Sequence, residues 1–230
     1  KQPLEEFNQE LLVELLSHIA WVDHVNTLGE LHASLPTKLG GLGLVNAADQ
    51  IYAAYYSSWN DVLKQVFDGA VPAYLVQRFS GLRAKYSGFR WPKRIYDNLN
   101  TTRAGLIGQI EQLAELRATT HAGKLKIVKA LKTDCAPNVE DLGTANSRLQ
   151  ERVQAKVLGP LTLAKVENLL FDDDAMRRLG FVDDELDAVR VKANELKAPG
   201  ATHWLQVLPV VPDFQLSHEE LRATLAHHML

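Results

Sequence analysis

Apolar residues in this chain recur at helical spacing, and no stretch alternates strongly enough to argue for a sheet. Leu4 to Val22 shows the pattern. Phe7, Leu11, Leu12, Leu15, Leu16 and Ile19 fall on one face, with Glu5, Glu6, Glu10 and Glu14 off it. The acids gather in the first half, where a helix dipole favours them. Only 7% of the 230 residues are aromatic and 46% are hydrophobic, so Leu, Ala and Val must fill the core. That composition favours helices over strands. The expected fold is all-α: a multi-helix bundle of about ten helices with short connections.

Gly and Pro punctuate the pattern. Three glycines and one proline fall between Pro36 and Gly43, which excludes a helix interior there and predicts an irregular turn with buried leucines. Asn46 is placed to cap a helix over Ala47 to Phe67, with Ile51, Ala54, Tyr55, Ser58, Trp59, Val62 and Val66 on one face. Pro72 opens a helix to about Tyr86. Trp91-Pro92 restarts the chain with a short helix to Leu99, followed by a longer one over Thr101 to Thr119. His121 to Gly123 reads as a break, Lys124 to Lys132 as a short basic helix, and Cys135 to Asn138 as a loop. A long helix is expected over Val139 to Leu158, weakened early by Gly143 and broken by Gly159-Pro160. Shorter helices follow over Thr162 to Phe171, Asp173 to Leu179 and Asp183 to Leu196. Trp204 to Val211 is a short apolar run, and Ser217 to Glu220 is a capping box for a final helix. The expected division is two helical regions, 1–135 and 136–230, meeting near the Cys135–Asn138 loop.

Several function classes recede at this stage. No apolar run reaches the roughly 18 residues that would span a bilayer, so no membrane partner is expected. The single cysteine, Cys135, excludes an intramolecular disulfide and a cysteine-based zinc site. It points to a reducing, intracellular compartment, nuclear or cytoplasmic. The histidines lack the i, i+4 pairing with a third ligand that zinc demands, and no cofactor motif or nucleophile elbow is present. Cys135 sits beside Asp134, the wrong neighbour for a reactive thiolate. The chain is therefore expected to be non-catalytic, with no cofactor. It starts at Lys1, which reads as a piece of a longer chain or a chain whose start was removed.

Charge is uneven although the net is only −3. Arg78, Arg83, Lys85, Arg90, Lys93, Arg94 and Arg103 form a basic run with one acid, Asp97, among them. Phe79, Tyr86, Phe89, Trp91 and Tyr96 are interleaved. Cations of this kind contact phosphates, and aromatics such as Phe89 and Trp91 can stack on bases. The same pattern also suits a solvated basic face over an aromatic core. Lys124, Lys126, Lys129 and Lys132 make a second basic patch whose default reading is a solvated face. Residues 136–230 are acidic and would repel phosphate, so nucleic acid is expected to bind the first 135 residues.

Two stretches resemble a known family. Leu35-Pro36, then Gly40-Gly41-Leu42-Gly43-Leu44, then the helix with Ala47, Ala48, Ala53, Ala54, Tyr55 and Ser58 are similar to the region that follows the palm of non-LTR retrotransposon reverse transcriptases. Trp204-Leu205-Gln206-Val207-Leu208-Pro209, with Leu216-Ser217 and Glu220-Leu221-Arg222 after it, resembles that family's Trp-Leu-x-x-Leu-Pro element and its following helix. The matches cover roughly fifty residues, in family order. The resemblance implies a thumb-and-linker segment that grips RNA or an RNA–DNA duplex without itself carrying the polymerase aspartates. Phe171-Asp172-Asp173-Asp174 superficially suggests the polymerase aspartate signature, but it follows a helical run and lies downstream of the glycine motif. A helix N-terminus accounts for it better. A different class of reading stands beside this one: a helical scaffold, derived from a retroelement remnant, that contacts other protein subunits.

Overall fold

The computed structural model describes residues 27–44, 46–67, 93–143 and 148–196, together with residues 3, 5–7, 10, 11, 13 and 14. The described residues are all-α, with no strand among them. None of their helices is long and apolar enough to cross a membrane. The chain divides into two compact units, one of residues 1–48 with 162–230 and one of residues 49–161.

In the first unit, α1 (Thr27–Ser34) buries Leu28, His32 and Ala33. The turn after it folds back onto its C-terminal end. Gly43 N–H donates to Leu35 O at 2.8 Å and Leu44 N–H to Ala33 O at 3.0 Å, which satisfies carbonyls that a helix end would leave open. Gly40 and Gly43 adopt φ of 91° and 73°, a region that favours glycine. Gly41 is required for a different reason: a Cβ there would lie 2.2 Å from Leu35 O. The expected irregular turn is present, with a 3-10 turn at Thr37–Leu39 inside it and Leu35 buried.

The core of this unit joins Leu28 and Leu35 to Val166, Leu170, Met176, Leu186 and Ala193. Phe7 and Leu11, expected on a buried face, are helical but about half exposed.

α2 (Ala47–Phe67), which from Asp49 onward belongs to the second unit, begins as its cap predicts: Asn46 Oδ1 accepts from Ala48 N–H at 2.9 Å. Its buried face is not the expected one. Ala53, Tyr56, Ser57, Asn60 and Leu63 are inside, while Ile51, Ala54, Tyr55, Ser58 and Val62 are exposed. α3 (Lys93–Arg117) is one continuous helix, where two were expected. Asn100, Thr101 and Thr102 do not cap a new start. Their side chains donate to the carbonyls of Tyr96, Asp97 and Asn98, four residues back, and let the helix run on. α4 (His121–Cys135) starts three residues earlier than expected, because Thr120 caps it through Gly123 N–H. α3 and α4 are cross-tied by Glu115–Lys124 and Glu111–Lys132.

The expected helix from Val139 is instead a 3-10 turn, Val139–Asp141. Gly143 then takes a φ of 84° and donates its N–H to the buried Asn60 Oδ1. Helix resumes at α5 (Leu149–Val153) and passes through a π turn, Gln154–Leu158, into α6 (Gly159–Phe171). Gly159-Pro160 therefore does not break the helix. Proline lacks an N–H and crowds the carbonyl four residues back. The π turn widens the helix at that point, with Gly159 N–H donating to Gln154 O. α7 (Asp173–Arg178) and α8 (Asp183–Leu196) follow at the expected places.

The Cys135–Asn138 loop, the expected divide, lies inside the second unit. Cys135, Ala136 and Val139 share one core with Tyr56, Leu99, Leu106 and Val153.

Candidate nucleic-acid interface

Lys93 and Arg94 occupy the first turn of α3, both are exposed, and that turn holds no acid. Cations there add to the positive end of the helix dipole instead of opposing it. The local field therefore favours an approaching anion. Among the described residues neither side chain forms a salt bridge.

Arg103 behaves differently from its place in the basic run. Its Nε donates to Ala136 O at 3.1 Å and to Pro137 O at 2.9 Å, and an NH2 group donates to Asn138 Oδ1 at 2.9 Å. Tyr56 Oη donates to the same Pro137 carbonyl at 2.6 Å, and burial raises the phenol well above its usual range. Tyr96 Oη reaches Glu140 Oε1 at 2.9 Å. Arg103 is thus a clamp on the Cys135–Asn138 loop, a role that its place in the basic run did not suggest. Arg78, Arg83, Lys85, Phe89, Arg90 and Trp91 lie outside the described residues. So do the Trp204 element and the capping box at Ser217.

The second basic patch divides in two. Lys124 and Lys132 point back to α3 and pair with Glu115 and Glu111, the latter at 3.1 Å. Lys126 and Lys129 are exposed on α4. The only acid on α4, Asp134, is bound by Lys156 and by Arg152 at 3.0 Å. The hydrogen bond from Lys156 is the main cause that holds the Asp134 carboxyl below its usual range, against the opposing effect of burial. Cys135 is buried, and burial with the Asp134 charge pushes its thiol up to about 11. Such a thiol is a poor nucleophile.

The acidic run at Asp172–Asp174 is a helix start. Asp172 Oδ1 accepts from Ala175 N–H at 2.9 Å, and Asp173 and Asp174 pair with Arg190 and Arg177. Among the described residues no group of three or more His, Cys, Asp or Glu side chains is placed to hold a metal ion.

The two units sort charge more sharply than any cut of the sequence into halves at residue 135. Residues 49–161 carry 16 Lys and Arg against 10 Asp and Glu, a net of +6. Residues 1–48 and 162–230 together carry 9 against 18, a net of −9. Both basic runs belong to the positive unit. This sorting was hidden in the sequence because the acidic unit is assembled from both ends of the chain.

Comparison with family models, curated proteins and solved structures found no match to this chain.

Proposed function

We propose that this chain is a non-catalytic helical segment, similar to the thumb and linker of a non-LTR reverse transcriptase, that grips a template–primer duplex through its phosphates. The observation that carries the reading is the charge sorting: a net of +6 concentrated in residues 49–161, against −9 in the rest. A positive unit attracts a polyanion and releases its counterions, while the acidic unit keeps the chain as a whole from binding indiscriminately. Exposed Lys93 and Arg94 at the α3 N-terminus extend the basic run that begins at Arg78.

The test is a salt titration of binding to a labelled RNA–DNA duplex, wild type against Arg90→Ala/Lys93→Ala/Arg94→Ala. Each phosphate contact contributes about 0.9 to the slope of log K against log salt. Loss of three contacts is expected to lower the slope by about 2.7. Absence of binding at low salt, with the chain folded, would overturn the reading.

A second reading, a helical scaffold for protein contacts, draws on the outer stripe of α2. Ile51, Tyr55 and Val62 are 38%, 37% and 44% exposed along one helical face. If duplex binding fails, loss of co-purifying subunits on Ile51→Glu/Val62→Glu, with helicity intact, is the outcome this reading expects.

A further inference from the structure

We infer that the outer face of α4 is a second phosphate-contact surface, carried by Lys126 and Lys129 and not by Lys124 or Lys132. The inference rests on the proposed duplex binding and adds a site to it. The four lysines look equivalent in the sequence, and the α3–α4 pairing divides them. Glu115 and Glu111 of α3 neutralise Lys124 and Lys132, whose side chains are 36% and 35% exposed. A lysine beside a carboxylate brings little net positive charge to an approaching phosphate, because the carboxylate repels what the ammonium attracts. Lys126 and Lys129 carry no such partner among the described residues, and both are exposed.

Their spacing of i, i+3 puts the two ammonium groups on one side of the helix, with Cβ atoms about 5–6 Å apart. Nothing acidic opposes them on α4, since Asp134, at the far end, is already bound to Lys156 and Arg152. The face therefore presents two uncompensated positive charges within one turn. Ala122, Ala130 and Thr133 flank them as small, exposed residues, and Leu125, 57% exposed, stands one turn before Lys129. An acidic protein surface could also satisfy two lysines. The nucleic-acid backbone is favoured because α4 lies in the unit with a net of +6, together with the other basic run.

The test compares two double variants in the same salt titration on an RNA–DNA duplex. Lys126→Gln/Lys129→Gln is expected to lower the salt slope by about 1.8, two contacts at about 0.9 each. Between 50 and 200 mM salt its affinity should then fall about twelvefold less than that of the wild type. Lys124→Gln/Lys132→Gln is expected to leave the slope unchanged, which controls for a general loss of positive charge. Equal slopes for wild type and the outer variant would overturn the inference while leaving duplex binding intact. Equal loss in both variants would also overturn it, because the inner and outer lysines would not be distinguished. No binding by wild type would overturn both the inference and the function on which it rests. Far-UV circular dichroism on each variant verifies that α4 is formed.

Discussion

Gly41→Ala probes how tightly the turn after α1 is closed. The added Cβ would lie 2.2 Å from Leu35 O, 2.4 Å from Leu35 Cβ and 2.5 Å from His32 O. Ordinary contacts between such atoms are about 3.5 Å. Two of the three neighbours are backbone atoms, so no rotamer change relieves the clash. The chain must either open the turn or displace the end of α1. Opening the turn breaks the Gly43-to-Leu35 and Leu44-to-Ala33 hydrogen bonds, each about 1 kcal/mol. Moving α1 disturbs the packing of Leu28, Ala33 and Leu35, all essentially fully buried. Overpacking of this kind costs about 1–3 kcal/mol. By either route a destabilisation of about 2 kcal/mol is expected. In urea, with m of about 2 kcal/mol/M, the midpoint should fall by about 1 M. Gly108→Ala is the control. It lies inside α3 with nothing within 4 Å of an added Cβ, so it should stabilise by about 0.5–1 kcal/mol. Circular dichroism at 222 nm follows both transitions. A Gly41→Ala midpoint within about 0.25 M of wild type, about 0.5 kcal/mol, would refute the packing described for this turn.

Three further outcomes are expected. Arg103→Met keeps the aliphatic stem but loses three hydrogen bonds to Ala136, Pro137 and Asn138. It should destabilise by about 1.5–3 kcal/mol without changing the salt slope of duplex binding, and a slope change near 0.9 would restore its phosphate role. Asp134 has a folded pKa below its unfolded value of about 3.9, so its stabilisation is complete above that pH and is lost as pH falls through the folded value. Below about pH 4, wild type should therefore lose stability faster than Asp134→Asn, and parallel curves would remove the ion pairs from the account. Cys135, with its thiol pushed up to about 11, should resist a thiol reagent at pH 8 in the folded chain and react readily in urea. Labelling at the same rate in both states would show that the thiol is not sheltered.

Local chemistry was legible wherever a side chain bonds its own neighbourhood. Asn46 as the cap of α2, Asp172 as the cap of α7 and the glycine turn at 40–43 are all short-range events. Helix faces were harder. α2 carries Tyr52, Ala53, Ala54, Tyr55 and Tyr56 in succession, so apolar residues surround it and no periodicity selects a face. The selection came from partners far along the chain: Pro137 O for the Tyr56 hydroxyl and Gly143 N–H for the Asn60 amide. Arg103 was read as part of a basic run because its acceptors, the carbonyls of Ala136 and Pro137, carry no sequence signature. The four lysines of α4 could not be divided without knowing where α3 would place Glu111 and Glu115.

The sequence by itself determined the all-α class, the starts of α2, α7 and α8 and the glycine turn at 40–43, because these depend on contacts within a few residues. Tertiary structure decided which face of α2 is buried and that Gly159-Pro160 continues a helix through a π turn. It also decided that residues from both ends of the chain build one acidic unit. Those outcomes depend on long-range packing, in which a buried polar group must find its partner wherever the chain supplies one.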